Sequence, residues 1–67
     1  MTDKETQALR NIAYGTEVEY ELDNGKVFTD TFGGLLEMKD GTTYVQFYEC
    51  GINREFLKRV TPKELQI

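Results

Sequence analysis

The stretch TEVEYELDNGKVFTDTFGGLLEMK, Thr16–Lys39, decides the fold. Val18, Tyr20 and Leu22 alternate with Glu17, Glu19 and Glu21, the period of a strand with one face on a core and the other in water. Asn24-Gly25 follows at once and predicts a hairpin, because both residues tolerate positive φ. The segment after it is too long for one flat strand. Gly33-Gly34 in its middle predicts a sharp bend or bulge, so that its two halves belong to different parts of a curled sheet.

Toward the C-terminus, Asp40-Gly41 marks a second turn before TYVQFYE, and Gly51 a third before NREFLKRV. In TPKEL, Thr61 reads as a cap, Pro62 as the first helical residue and Glu64 as the partner that closes a capping box. Toward the N-terminus, Thr2 and Glu5 form another capping box, Leu9, Ile12 and Ala13 share a stripe, and Gly15 suits a stop. These signals predict one domain over residues 1–67: a helix at 2–14, a four-stranded antiparallel meander at 16–60, and a helical turn with a possible last strand at 61–67. The fold class is mainly β, a small barrel of four to five antiparallel strands with an N-terminal α-helix and a C-terminal 3₁₀ turn.

The pattern Val18-x-Tyr20-x-Leu22-x-Asn24-Gly25-x-x-Phe28 resembles the opening of Sm-like proteins, which place a helix before a bent five-stranded barrel. The closing Val60-Thr61-Pro62-Lys63-Glu64-Leu65 resembles the 3₁₀ turn before the last strand of SH3-like barrels. The resemblance implies a fold; the functional residues do not follow it. Asp30 stands where the Sm-like pattern has a glycine, MKDGTTY lacks its Asp-x-Met-Asn loop, and Ile52-Asn53-Arg54-Glu55 replaces its Arg-Gly loop, so no uridine pocket of that kind is expected. The chain also has no tryptophan and no ALYDY-like segment, which argues against proline-rich peptide recognition of the SH3 kind.

Composition narrows the function. A chain of 67 residues is close to the lower limit for a single core without metals or disulfides, so every apolar side chain is expected in that core. With no histidine and a single cysteine there is no expected metal site, cofactor or catalytic constellation. The charged start and the lack of any long apolar run predict a soluble, cytoplasmic protein with no membrane contact. Residues 1–50 hold ten acids against four bases, whereas the last 17 residues hold four bases against two acids. That acidic body makes nucleic acid an unlikely partner for the whole molecule.

What remains points to another protein as partner. If Val45 and Phe47 face the core, Tyr44 and Tyr48 form an aromatic pair on the other face; they are either an interface or a second small core under the N-terminal helix. Arg54, Lys58 and Arg59 supply a basic strip in the next strand, either beside that pair in the manner of single-strand binders or as ordinary edge-strand charges. Glu17, Glu19 and Glu21 form an acidic row, either a second, charge-steered face or a solvated strand surface. Cys50 reads as a small buried hydrophobe rather than a reactive thiol. The expected function is a non-catalytic protein-interaction module, able to self-associate through its edge strands. The alternatives are a small acidic inhibitor of a basic nucleic-acid-handling protein, of the kind phages encode against host defences, and an oligomeric single-stranded RNA or DNA binder.

Overall fold

In the computed structural model, which describes residues 1–63, Glu17–Leu22 forms β1 and Val27–Glu37 forms β2. The hairpin between them is closed by the Leu22 N–H on the Lys26 carbonyl and the Gly25 N–H on the Leu22 carbonyl, both at 2.9 Å. Only Gly25 takes a positive φ, +87°. Asn24 stays in ordinary backbone space and contributes its side chain instead, its Oδ1 accepting from the Lys26 N–H at 2.9 Å. The expected hairpin forms, as a longer turn that uses the positive φ of its glycine alone. The same arrangement recurs at Met38–Thr42, where Asp40 Oδ1 accepts from the Thr42 N–H at 2.9 Å. That bond holds the Asp40 carboxyl below its usual range.

Thr43–Phe47 forms β3, Gly51–Asn53 forms β4 and Leu57–Pro62 forms β5. The strands make one antiparallel sheet in the order β4-β3-β2-β1-β5. The long β2 serves both halves, pairing with β1 through residues Val27–Thr31 and with β3 from Phe32 onward. The register shifts between Phe32 and Gly34, where the glycine pair was expected to bend the strand. Gly34 has φ +100°, and a Cβ there would lie 2.8 Å from ring atoms of Tyr14. The positive φ requires glycine there, and a side chain would also have to displace the exposed ring of Tyr14. The sheet curls as expected but stays open, with β4 and β5 as its two edges.

The expected returning strand after Gly51 is in fact two. Asn53 Oδ1 accepts from the Glu55 N–H at 2.9 Å and starts a 3₁₀ turn over Arg54–Phe56. The chain then crosses the sheet, so that β5 pairs with β1 rather than β3. The turn between β3 and β4 also lies earlier than Gly51, the Phe47 N–H reaching the Cys50 carbonyl at 2.7 Å. β5 runs to Pro62, so Thr61 and Pro62 end a strand instead of opening a helical turn; Lys63 has 3₁₀ conformation, and the expected remainder at residues 64–67 lies outside the described residues.

The N-terminal helix is shorter than expected, α1 at Asp3–Ala8 followed by a 3₁₀ turn at Leu9–Asn11. Both bonds of the Thr2–Glu5 capping box form, and the bonds from Thr2 hold the Glu5 carboxyl below its usual range. Leu9 enters the core with Val18, Tyr20, Phe32, Val45, Phe47 and Leu57, and Ile12 packs against it. Arg54 Nη1 fastens the helix to the second 3₁₀ turn through Asp3 Oδ1 at 2.5 Å and Thr6 Oγ1 at 3.3 Å. Arg10 pairs with Glu37 at the far end.

Not every apolar side chain is used in this way. Tyr14, Val27, Phe28, Leu36, Tyr48 and Phe56 stay exposed. A strand sends neighbouring residues to opposite faces, so the doublets Val27-Phe28 and Leu35-Leu36 cannot both point inward.

Candidate functional site

Register places the charged residues first. Glu21 on β1 stands opposite Arg59 on β5, and Glu19 opposite Thr61. Arg59 Nη2 donates to Glu19 Oε1 at 2.8 Å and its Nε to Glu21 Oε1 at 2.9 Å, a fork that only a guanidinium can make. Those two bonds also strengthen the hold of Arg59 on its proton. Lys58 Nζ lies 3.7 Å from Glu21 Oε2, and Lys63 Nζ 3.5 Å from Glu17 Oε1. The acidic row and most of the basic strip are therefore one internal ladder between β1 and an edge strand.

That ladder corrects two expectations. Lys58 and Arg59 do not lie beside the tyrosine face, because β5 is separated from β3 by both β1 and β2. Arg54, which follows the Asn53 that pairs with Tyr44, is bonded instead to the helix. Nor do the tyrosines form a pair. Tyr44 is half-buried in β3, opposite Leu36 and Asn53, whereas β3 ends at Phe47 and leaves Tyr48 in the turn, 85% exposed. The helix does not cover Tyr48.

The turn that carries Tyr48 is pinned to β2. The Tyr48 N–H donates to the Thr31 carbonyl at 3.0 Å, and the Glu49 N–H reaches Asp30 Oδ2 at 3.5 Å. Asp30 Oδ1 in turn accepts from the Thr31 N–H at 2.6 Å. Cys50 follows, exposed rather than buried as expected, with its Sγ 3.9 Å from the Tyr20 hydroxyl. The turn at Tyr48–Cys50 leaves no inward position for the thiol, which rests on the rim of the core.

From Tyr20 a stack of rings runs outward. Its centroid is 4.2 Å from that of the buried Phe47 and 5.5 Å from that of Phe28, which is 43% exposed. Burial, the hydrogen bond with Cys50 and the nearby negative charges of Asp30 and Glu49 push the Tyr20 hydroxyl up to about 12. Among the described residues, no cation lies within salt-bridge distance of Asp30 or Glu49. Phe28, Tyr48, Cys50, Asp30 and Glu49 thus form an aromatic and acidic rim around one stacked column of rings. Phe56 is 61% exposed just past the far end of β1, its carbonyl accepting from the Asp23 N–H at 3.0 Å.

Sequence reasoning found Tyr48 and counted Asp30 only with the acidic row of β1; it missed Phe28 and Glu49. The doublet Val27-Phe28 was the available signal, since one of the two must leave the core. A second apolar surface is the groove of about 290 Å³ between the helix and β5, lined by Met1, Ala8, Ile12, Val60 and Pro62 among others. Among the described residues, no three His, Cys, Asp or Glu side chains converge as a metal site requires. No helix among them is long and apolar enough to cross a membrane. Comparison with protein-family models, with curated proteins and with solved structures finds no match to this chain.

Proposed function

We propose that the chain is a non-catalytic protein-interaction module whose contact surface is the rim of Phe28, Tyr48 and Cys50. One observation carries this reading: Tyr48 is 85% exposed although its backbone is hydrogen-bonded to β2. A ring held on a fixed turn and left uncovered offers contact area at little ordering cost. The chain has no histidine, the commonest general acid and base, and among the described residues Glu17, Glu19 and Glu21 each pair with a lysine or arginine. The meander, the bent β2 and the 3₁₀ turn before β5 support an SH3-like or Sm-like architecture for the module.

Edge pairing is less well supported. β4 has three residues, and β5 carries a register shift opposite Glu21/Leu22 and ends in Pro62, devices that blunt an edge. The test is affinity capture from the source cells with the wild-type chain, Tyr48→Ser and Lys58→Ala as baits, each checked for native circular dichroism. Partners retained by wild type and Lys58→Ala but lost by Tyr48→Ser support the rim. Loss with Lys58→Ala and retention with Tyr48→Ser would move the interface to the ladder and end this reading.

A further inference from the structure

Resting on that reading, we infer that the rim takes a protein segment bearing an arginine or lysine next to an apolar anchor. The anchor has a place on the half-exposed Phe28, whose other face is backed by Tyr20 and, behind it, Phe47. The cation has two kinds of partner, on the Tyr48–Cys50 turn and on the stretch of β2 to which it is pinned. Asp30 and Glu49 supply carboxylates that have no cation within salt-bridge distance among the described residues, and Tyr48 supplies an uncovered ring face.

The contrast with the glutamate row sharpens the inference. On β1, Glu17, Glu19 and Glu21 each have a lysine or arginine of the same chain. At the rim, among the described residues, Asp30 and Glu49 have no such partner within salt-bridge distance. Asp30 is fixed by the Thr31 N–H and reaches toward the Glu49 N–H, so one of the two carboxylates is already oriented before a partner arrives. Their negative potential extends to the buried Tyr20 hydroxyl, whose ionisation it opposes. A phosphate backbone would meet the same carboxylates and be repelled, so a nucleic acid fits this rim poorly.

The experiment selects a displayed library of random linear peptides on the intact protein. Selected peptides are then synthesised and their affinities measured for wild type, Tyr48→Ser, Glu49→Lys, Asp30→Asn and Lys58→Ala. The expected result is enrichment of arginine or lysine beside an aromatic or aliphatic residue. Affinity should fall roughly tenfold or more with Glu49→Lys, because a charge in contact turns from attractive to repulsive. Tyr48→Ser should lower it too, and Lys58→Ala should leave it unchanged. Peptides that need Tyr48 but show no basic enrichment, and ignore Glu49→Lys, would overturn the inference while keeping the rim as a contact surface. Peptides indifferent to Tyr48 would overturn both. Tight binding of single-stranded RNA at the rim, run in parallel, would likewise contradict the inference. Asp30→Asn keeps an acceptor for the Thr31 N–H but turns an NH2 toward the Glu49 N–H, so a loss with that variant is read as charge only where Glu49→Lys shows a loss as well and the circular dichroism is native.

Discussion

Arg59 on β5 bridges Glu19 and Glu21 on β1 through two different nitrogens of one guanidinium, at 2.8 and 2.9 Å. The most highly charged face of the molecule is therefore satisfied from within, and it holds an edge strand in place. Arg59→Ala is expected to lower the urea midpoint without altering the slope of the transition. Arg59→Lys should recover only part of the loss, since an ammonium cannot reach both carboxylates with the same geometry. Added salt should narrow the gap between wild type and Arg59→Ala. Equal midpoints at low salt would show that the fork contributes nothing.

Gly34 carries the bend in β2 at φ +100°, beneath the ring of Tyr14. Tyr14 is 78% exposed and can swing aside, but the backbone cannot change its sign of φ without breaking the register to β3. Gly34→Ala should therefore cost about 1–3 kcal/mol. Most of that cost should persist in a Tyr14→Ala background. A double-mutant cycle that instead shows full rescue would assign the penalty to the ring contact and not to the backbone.

Alkaline pH should expose the burial of Tyr20. Its hydroxyl sits at about 12 in the folded chain against an ordinary 10.0, and the folded state favours the neutral form. The contribution is fully present below pH 10 and is lost as pH rises from there through about 12, because the unfolded chain ionises first. Unfolding midpoints measured across that window should fall for wild type more steeply than for Tyr20→Phe. Parallel slopes would contradict the assignment.

Leu57 is completely buried where β5 begins, opposite Leu22. Leu57→Ala should cost about 2–5 kcal/mol. A domain of this size has only about 3–10 kcal/mol to lose. Calorimetry should find the variant much less stable or already unfolded at room temperature; a Tm within a few degrees of wild type would mean the core repacks around the hole.

The alternation of Val18, Tyr20 and Leu22, the glycine bend and the Thr2–Glu5 box were legible because each depends on neighbours in sequence. The crossing of β5 to β1 was not. Asn53 capping a single 3₁₀ turn interrupts what reads as one strand, and it moves Lys58 and Arg59 from the tyrosines to the glutamates. Those bonds span 38 and 40 residues of chain, so nothing local announces them. Tyr48 was legible as an exposed ring, but its neighbours Asp30 and Phe28 come from β2 and appear only once the turn is pinned to Thr31.

The central claim is that partners meet the aromatic and acidic rim and not the charged ladder. The most direct measurement is a backbone amide chemical-shift map of the isotope-labelled chain, free and bound to a captured or selected partner. The rim predicts the largest changes at Thr31, Tyr48, Glu49 and Cys50, with the β1–β5 ladder nearly unmoved. Changes concentrated at Glu17, Glu19, Glu21, Lys58 and Arg59, with the turn at Tyr48 unaffected, would contradict it.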